Sequence, residues 1–153
     1  MPASPYEASR EALATLLAAA NGAGSFTYDL SAAVTIGAPP DTVRASPAVW
    51  LWCDRIRFDT DTTIGDYVAV QEIDVIGFVA CADNTPTERM RAAERLAHDF
   101  HLAIRSDRGL AGTVRDVRFV EVLALDGEST QMGTRYGVCL VRVEITQDID
   151  GVP

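Results

Sequence analysis

The two histidines of the chain could hold a metal ion together with a nearby carboxylate. His98 and His101 stand three residues apart, and Glu94 precedes His98 by one turn of a predicted helix. Side chains at this spacing share one side of a helix, and zinc accepts such ligands. His101, however, falls beside the apolar stripe of that helix, whereas Glu94 and His98 fall on its polar face. We therefore interpret the cluster as a solvated helix face and expect no metal and no cofactor.

The other candidates for chemistry are isolated. Asp59, Asp61 and Asp66 share a polar connection, but this connection lacks the glycine and the final glutamate of a calcium-binding loop. Cys81 follows a predicted strand and precedes a helix, where a thiol can be reactive, yet the apolar strand favours a buried, structural cysteine. The sequence contains no phosphate-binding loop and no nucleophile elbow. We therefore predict that the chain is not an enzyme.

Trp50 and Trp52 are the most conspicuous aromatic side chains. In a strand they share one face, while Val49, Leu51 and Cys53 share the other. Because both faces are apolar, we expect this strand to be central in the sheet or covered on both sides. The two tryptophans could pack in the core, contact the N-terminal helix, form a binding platform or fill a subunit interface.

Composition and charge argue against several classes of protein. The chain has 153 residues, a net charge of -9 and 13 basic residues, all arginine. This balance argues against sequence-specific nucleic-acid binding, which needs a basic face. Three widely spaced cysteines argue against a disulfide framework. No apolar run is long enough to span a bilayer and no signal peptide is apparent, so we expect no membrane contact.

The chain alternates between helical and strand-like patterns. Helices are predicted over 5–20, with a capping box of Ser4 and Glu7, and over 86–108, with Thr85 as N-cap and Gly109 as a left-handed terminating residue. Strands are predicted over 28–36, 48–58, 67–80 with a bulge at Gly77, 114–125 and 136–145. Residues 147–153 are predicted to be a frayed tail.

These elements define an α+β fold. We predict one domain over residues 1–153, with a mainly antiparallel sheet of five strands that ends in a long β-hairpin. The N-terminal helix and the long helix pack on the sheet. The stripe of the long helix covers the sheet and consists of Met90, Ala93, Leu96, Ala97, Phe100 and Ile104.

The order of elements resembles the tail terminator proteins of long-tailed bacteriophages. The resemblance covers nearly the whole chain and rests on pattern, without a sharp motif. It includes the N-terminal helix and four further segments, which are Pro39–Leu51, Gln71–Val75, Leu102–Val114 and Tyr136–Glu144. Related neck and tail-completion proteins share much of this outline.

The resemblance implies a structural virion protein of the tail or neck, assembled in the host cytoplasm. Such a protein forms a homo-oligomeric ring, expected to be a hexamer, on the end of the tail tube. The ring stops polymerisation of the tube protein and receives the head–tail connector, and DNA passes through its lumen without sequence-specific binding. The alternatives are another neck or head–tail joining protein, or a non-viral cytoplasmic α+β binding domain or small enzyme.

Two long polar connections are the expected docking elements. They span 59–66 and 126–135 and exceed the usual length of hairpin loops. In the second, Met132 offers an adaptable apolar contact and Arg135 can grip a carboxylate. The candidate interface residues are Asp59, Asp61, Asp66, Glu128, Gln131, Met132, Arg135, Trp50 and Trp52.

Overall fold

The computed structural model describes residues 2–59, 66–81, 85–126, 130–131 and 134–150. Its two helices are α1 (Pro5–Ala18) and α2 (Pro86–Ser106). Its strands are β1 (Val34–Ile36), β2 (Ala48–Asp59), β3 (Asp66–Ala80), β4 (Asp116–Asp126), β5 (Thr130–Gln131) and β6 (Thr134–Asp150). The predicted α+β class is confirmed. In the described ranges, no helix is long and apolar enough to cross a bilayer.

The main sheet has the strand order β1-β2-β3-β6-β4, and β5 pairs with β6 alone. Among the described strand pairs, only β1–β2 is parallel. The predicted hairpin between β4 and β6 is present, with β6 inserted between β3 and β4. Within the described ranges the sheet therefore has two edges, one formed by β4 and the other by β1 together with the part of β2 that β1 does not reach. At the start of β4, the backbone groups of Val117 are bound to Arg108.

Both helices lie on the same face of the sheet, with α2 over β3, β6 and β4. The predicted stripe is confirmed, since Leu96 and Phe100 are fully buried, although Met90 is only half-buried. The N-caps are also present. Ser4 and Glu7 form the complete capping box of α1, and Thr85 Oγ1 accepts the Glu88 N–H at 3.3 Å.

Two glycines allow α2 to approach the sheet closely. A Cβ atom at Gly77 would lie 2.5 Å from Leu96 Cδ2, and one at Gly137 would lie 2.3 Å from the backbone oxygen of Arg89. The predicted bulge at Gly77 is therefore wrong, because Gly77 pairs regularly with Val49 and Cys139. The glycine serves helix packing there, and the bulges lie in β2 after Cys53 and twice in β4.

The first predicted strand is much shorter than its alternation indicated. Only Val34–Ile36 is a strand, and Asp29 makes an isolated bridge with Asn21. Asp99 of α2 is the reason: its fully buried carboxylate accepts the backbone N–H groups of Thr27 at 3.0 Å and Tyr28 at 2.9 Å. These bonds hold the segment against α2 and away from the sheet.

Both helices end earlier than predicted, at Ala18 and Ser106. The left-handed backbone also lies elsewhere than Gly109, since positive φ angles occur at Leu110, Ala111 and Gly112. The Asp107 carboxylate stabilises this turn by accepting the N–H groups of Gly109 at 3.2 Å and Ala111 at 2.7 Å. A side-chain cap has replaced the expected glycine cap.

The predicted frayed tail is also wrong as far as Asp150, because β6 continues to that residue beside β3. Gln147 is buried, and its Oε1 accepts Gln71 Nε2 at 2.8 Å. Gln71 Nε2 also donates to Ser9 Oγ of α1 at 2.6 Å. This buried polar contact joins the end of the chain to the first helix. Residues 151–153 lie outside the described ranges.

Candidate assembly interface

The helix-free face of the sheet carries a lattice of ion pairs. Glu144 accepts both Arg57 at 3.2 Å and Arg118 at 3.1 Å. Arg142 binds Asp74 at 2.8 Å, and this hydrogen bond raises the pKa of the guanidinium. Two further pairs complete the lattice and join Arg55 to Glu72 and Arg142 to Asp54. The basic groups of this face are thus neutralised within the chain.

The other end of this face is apolar. Trp50 meets Phe78 edge to face at a ring-centroid distance of 5.6 Å, and Phe78 meets Tyr136 in the same way at 6.0 Å. Val43, in the segment before β2, is buried in this cluster. Trp50 therefore takes the packing role that the sequence left open. Trp52 does not, because 47% of it is exposed, so the expected covering of β2 on both sides is wrong.

The exposed large apolar side chains of the described residues all lie along the two sheet edges. One group belongs to the β4 edge and consists of Val120, Val122 and Leu123. The other belongs to the edge formed by β1 and β2 and consists of Ile36, Trp52 and Phe58. Open strand edges with exposed apolar groups are templates for pairing with another chain.

One member of each apolar group lies at the same height on the sheet, whereas Phe58 lies beyond the first residue of β4, at the height of Gln147. Starting at Ile36, the pairing passes through Leu51, Val75 and Val141 and ends at Val122 on the opposite edge. Ile36 and Val122 are therefore the two ends of one rung, and both are more than 40% exposed.

The neighbouring rung, on the helix-free face, ends at a charged residue. It runs from Trp52 through Asp74 and Arg142 to Glu121 of β4. The exposed tryptophan of one edge is thus level with Glu121, which Val120 and Val122 flank in the chain.

A groove runs along the helix side of the β4 edge, between α2 and β4. One part, with a volume of about 230 Å³, has an apolar floor of Ile104, Val117 and Phe119. Its other lining residues are His101 and three arginines, which are Arg105, Arg108 and Arg118, with no carboxylate among them. The adjoining part is about 260 Å³ and includes Glu94, His98 and Val122. We call this the arginine groove. Arg108 is already paired with Asp116, and Arg118 with Glu144 on the helix-free face, so Arg105 is the arginine of the groove that has no carboxylate partner among the described residues.

The histidine cluster belongs to this groove. The rings of His101 and Phe119 meet edge to face at 5.1 Å, and His98 is exposed beside them. In the part of the chain that the structure describes, no three His, Cys, Asp or Glu side chains are grouped to hold a metal ion. Packing thus explains the position of His101.

The cysteines are unpaired in the described structure. Burial raises the pKa of Cys139 to about 12, so this thiol stays protonated and inert. Cys81 is half-buried rather than fully buried, and its Sγ donates to the Val79 carbonyl at 3.7 Å.

The predicted interface residues are dispersed. Asp59 and Asp66 end β2 and begin β3, whereas Asp61, Glu128 and Met132 lie outside the described residues. The predicted polar loop 126–135 includes a short ladder, because Gln131 and Thr130 pair with Thr134 and Arg135. Part of that loop is therefore a β-hairpin.

Sequence reasoning missed the β4 edge and the arginine groove. The signal for the edge was a break in alternation, since β4 reads Phe119-Val120-Glu121-Val122-Leu123 with apolar residues in both phases. Such a break indicates bulges, and bulges favour strand edges. The groove had no such signal, because its arginines come from α2, the following turn and β4.

No protein-family model matches the chain, and no curated protein matches it in a sequence comparison. The fold and the surface therefore define the class by themselves. The chain is an α+β protein with helices on one face of its sheet and two open, apolar sheet edges.

Proposed function

We propose that this protein is a ring-forming structural protein of a phage tail, a tail terminator that caps the tail tube and receives the head connector. The ring is homo-oligomeric and assembles edge to edge through the sheet. The proposal combines the resemblance of the element order with the surface properties of the two sheet edges.

The observation that carries the proposal is the matched pair of apolar edges. Ile36 and Val122 end the same rung, and the rung of Trp52 ends at Glu121, which Val120 and Val122 flank in the chain. A neighbouring copy in the same orientation would bring its β1–β2 edge to the β4 edge with no change of height. Pairing would bury the apolar groups that are exposed in the single chain.

The contact is heterologous, because the two edges differ in sequence and in strand composition. A heterologous contact generates a closed ring when its rotation closes and a filament when it does not. A ring fits the proposed role, because a terminator must present one surface to the tube and another to the connector.

The charge of the chain supports a lumen through which DNA passes. The net charge is -9, and the arginines of the helix-free lattice are paired with carboxylates. Like charges reduce adhesion of phosphates to the wall. The hairpin within 126–135 is our candidate for contact with the tube or the connector, and deletion of residues 128–133 is expected to block tail completion without unfolding the domain.

The test blocks each edge separately. Val122→Glu charges the β4 edge, and Trp52→Glu charges the β2 edge. The wild type should form rings, seen by light scattering on a sizing column and by negative-stain microscopy. Each variant alone should remain monomeric, since a head-to-tail contact needs both edges. Thr87→Glu is the matched control, because it adds the same charge at an exposed position in the first turn of α2.

A mixture of the two blocked variants gives the sharpest result. Each retains the edge that the other has lost, so the mixture should form a dimer with one contact and no larger species. A symmetric contact between two β4 edges would instead let Trp52→Glu dimerise alone. That outcome, or a wild type that stays monomeric at all concentrations, would overturn the proposed ring.

A further inference from the structure

The arginine groove between α2 and β4 lies beside the edge at which the proposed ring adds its next copy. We infer that this groove binds the acidic connection between β2 and β3, residues 59–66, of the neighbouring copy. The inference rests on the proposed ring and names the contact that fixes its register.

One arginine of the groove, Arg105, is open to a carboxylate partner. Arg108 is held by Asp116, with guanidinium–carboxylate distances of 2.6 and 2.8 Å, and Arg118 shares Glu144 with Arg57. Arg105 is exposed in the last turn of α2 and bonds to no carboxylate among the described residues. A guanidinium over an apolar floor prefers a carboxylate partner, which it can bind through two parallel hydrogen bonds.

The proposed occupant has the complementary composition. Residues 59–66 read Asp-Thr-Asp-Thr-Thr-Ile-Gly-Asp, with three carboxylates and no basic residue. Ile64 is the only large apolar side chain of this segment and can cover the floor formed by Ile104 and Phe119. An acidic segment with one apolar anchor fits an apolar floor beside Arg105, whose guanidinium has no carboxylate partner among the described residues.

Strand direction brings these two regions together. Each of the β2–β3, β3–β6 and β6–β4 pairs is antiparallel, so β2 and β4 run in opposite directions. A copy added in the same orientation therefore sets its β2 antiparallel to β4. The end of its β2, where the acidic connection begins, then meets the start of β4, where Arg108 and Arg118 lie.

The register sets the height of this meeting. Asp59 pairs with Val68, and Val68 pairs with Asp148 of β6. Asp116, the first residue of β4, pairs with Thr146, two residues before Asp148. Without any shift between copies, Asp59 of the neighbour is thus two residues beyond Asp116. The apolar rungs that align Ile36 with Val122 require this same height.

A charge exchange tests the contact within the ring. Arg105→Asp and Asp61→Arg should each raise the protein concentration at which rings form by about tenfold, as expected for loss of one charged contact of about 1.4 kcal/mol. The chain that carries both changes should assemble within about threefold of the wild type, because the pair is restored with reversed sign. Arg91→Asp and Asp41→Arg are the controls at exposed positions outside the groove, and neither should change assembly by more than threefold.

A peptide experiment separates this inference from the ring itself. A peptide of residues 58–67 should bind the monomeric Trp52→Glu variant, whose groove is intact, and binding should be lost with Arg105→Asp. The same peptide carrying Asp59→Asn, Asp61→Asn and Asp66→Asn should not bind. If rings form but charge reversal changes nothing, the contact is wrong and the ring stands. If no ring forms yet the peptide binds through Arg105, the contact stands and the proposed function falls. If neither occurs, both are overturned.

Discussion

The two faces of the sheet are stabilised by different interactions. The helix-covered face is apolar and close-packed, with Phe100 and Leu96 fully buried and Gly77 and Gly137 leaving room for the helix. The helix-free face carries paired charges at one end and an aromatic cluster at the other. The stability of the helix-covered face depends on close packing of apolar side chains. The stability of the helix-free face depends on ion pairs and aromatic contacts between its own side chains.

This difference is the reason that we propose the sheet edges, and not the helix-free face, as the assembly surface. On a face whose arginines already have carboxylate partners, a new partner would gain little binding free energy. Each surface ion pair contributes only a small amount to stability. The edges retain exposed apolar side chains, although the backbone groups of Val117 at the start of β4 are already bound to Arg108. Four substitutions test this contrast, beginning with the one that should cost the most stability.

Phe100→Ala removes the largest apolar side chain of the α2 stripe. We expect the free energy of unfolding to fall by about 3–5 kcal/mol, since the ring is fully buried and its loss leaves a cavity. Chemical denaturation followed by circular dichroism measures the change. A midpoint equal to that of the wild type would contradict the packing of α2 on the sheet.

Gly137→Ala places a methyl group 2.3 Å from the Arg89 backbone oxygen and 3.1 Å from Ala93 N. Backbone cannot rotate away, so α2 must shift, and we expect a loss of about 3 kcal/mol, at the upper end of overpacking costs. Gly77→Ala is the matched control, because its closest contact is the movable end of Leu96. Thermal melts should rank Gly137→Ala below Gly77→Ala, and the reverse order would refute this reading of the two glycines.

Asp99→Ala tests the buried carboxylate on the helix-covered side of the sheet. The buried carboxylate accepts the N–H groups of Thr27 and Tyr28, and its removal leaves both unsatisfied. We expect a loss of about 2 kcal/mol and faster amide exchange at those two positions, measured by NMR. Unchanged exchange there would show that another group holds the segment.

Glu144→Gln tests the free face. It weakens two exposed arginine contacts, with Arg57 and Arg118. We expect a loss below about 1 kcal/mol that shrinks further in high salt, since both partners are solvent-screened. A loss as large as that of Phe100→Ala would remove the contrast between the faces.

Local patterns were sufficient to predict most elements. The stripe of α2, both N-caps, the long strands and the α+β class follow from spacing and capping chemistry, which act over a few residues. The predictions failed where a distant partner decided the outcome. Asp99 shortens the first strand, Gln71 and Ser9 order the end of β6, and Asp107 replaces the glycine cap of α2.

The candidate interface also combines features that local sequence patterns predict with features that depend on distant partners. Sequence patterns alone place Trp50 and Trp52 in one strand and acidic residues in the connection after it. The folded sheet is needed to learn that Trp50 is packed while Trp52 is exposed, and that Ile36 and Val122 end one rung. Exposure and alignment could not be predicted because they depend on strand order. Pairing across the sheet sets that order between residues far apart in the chain.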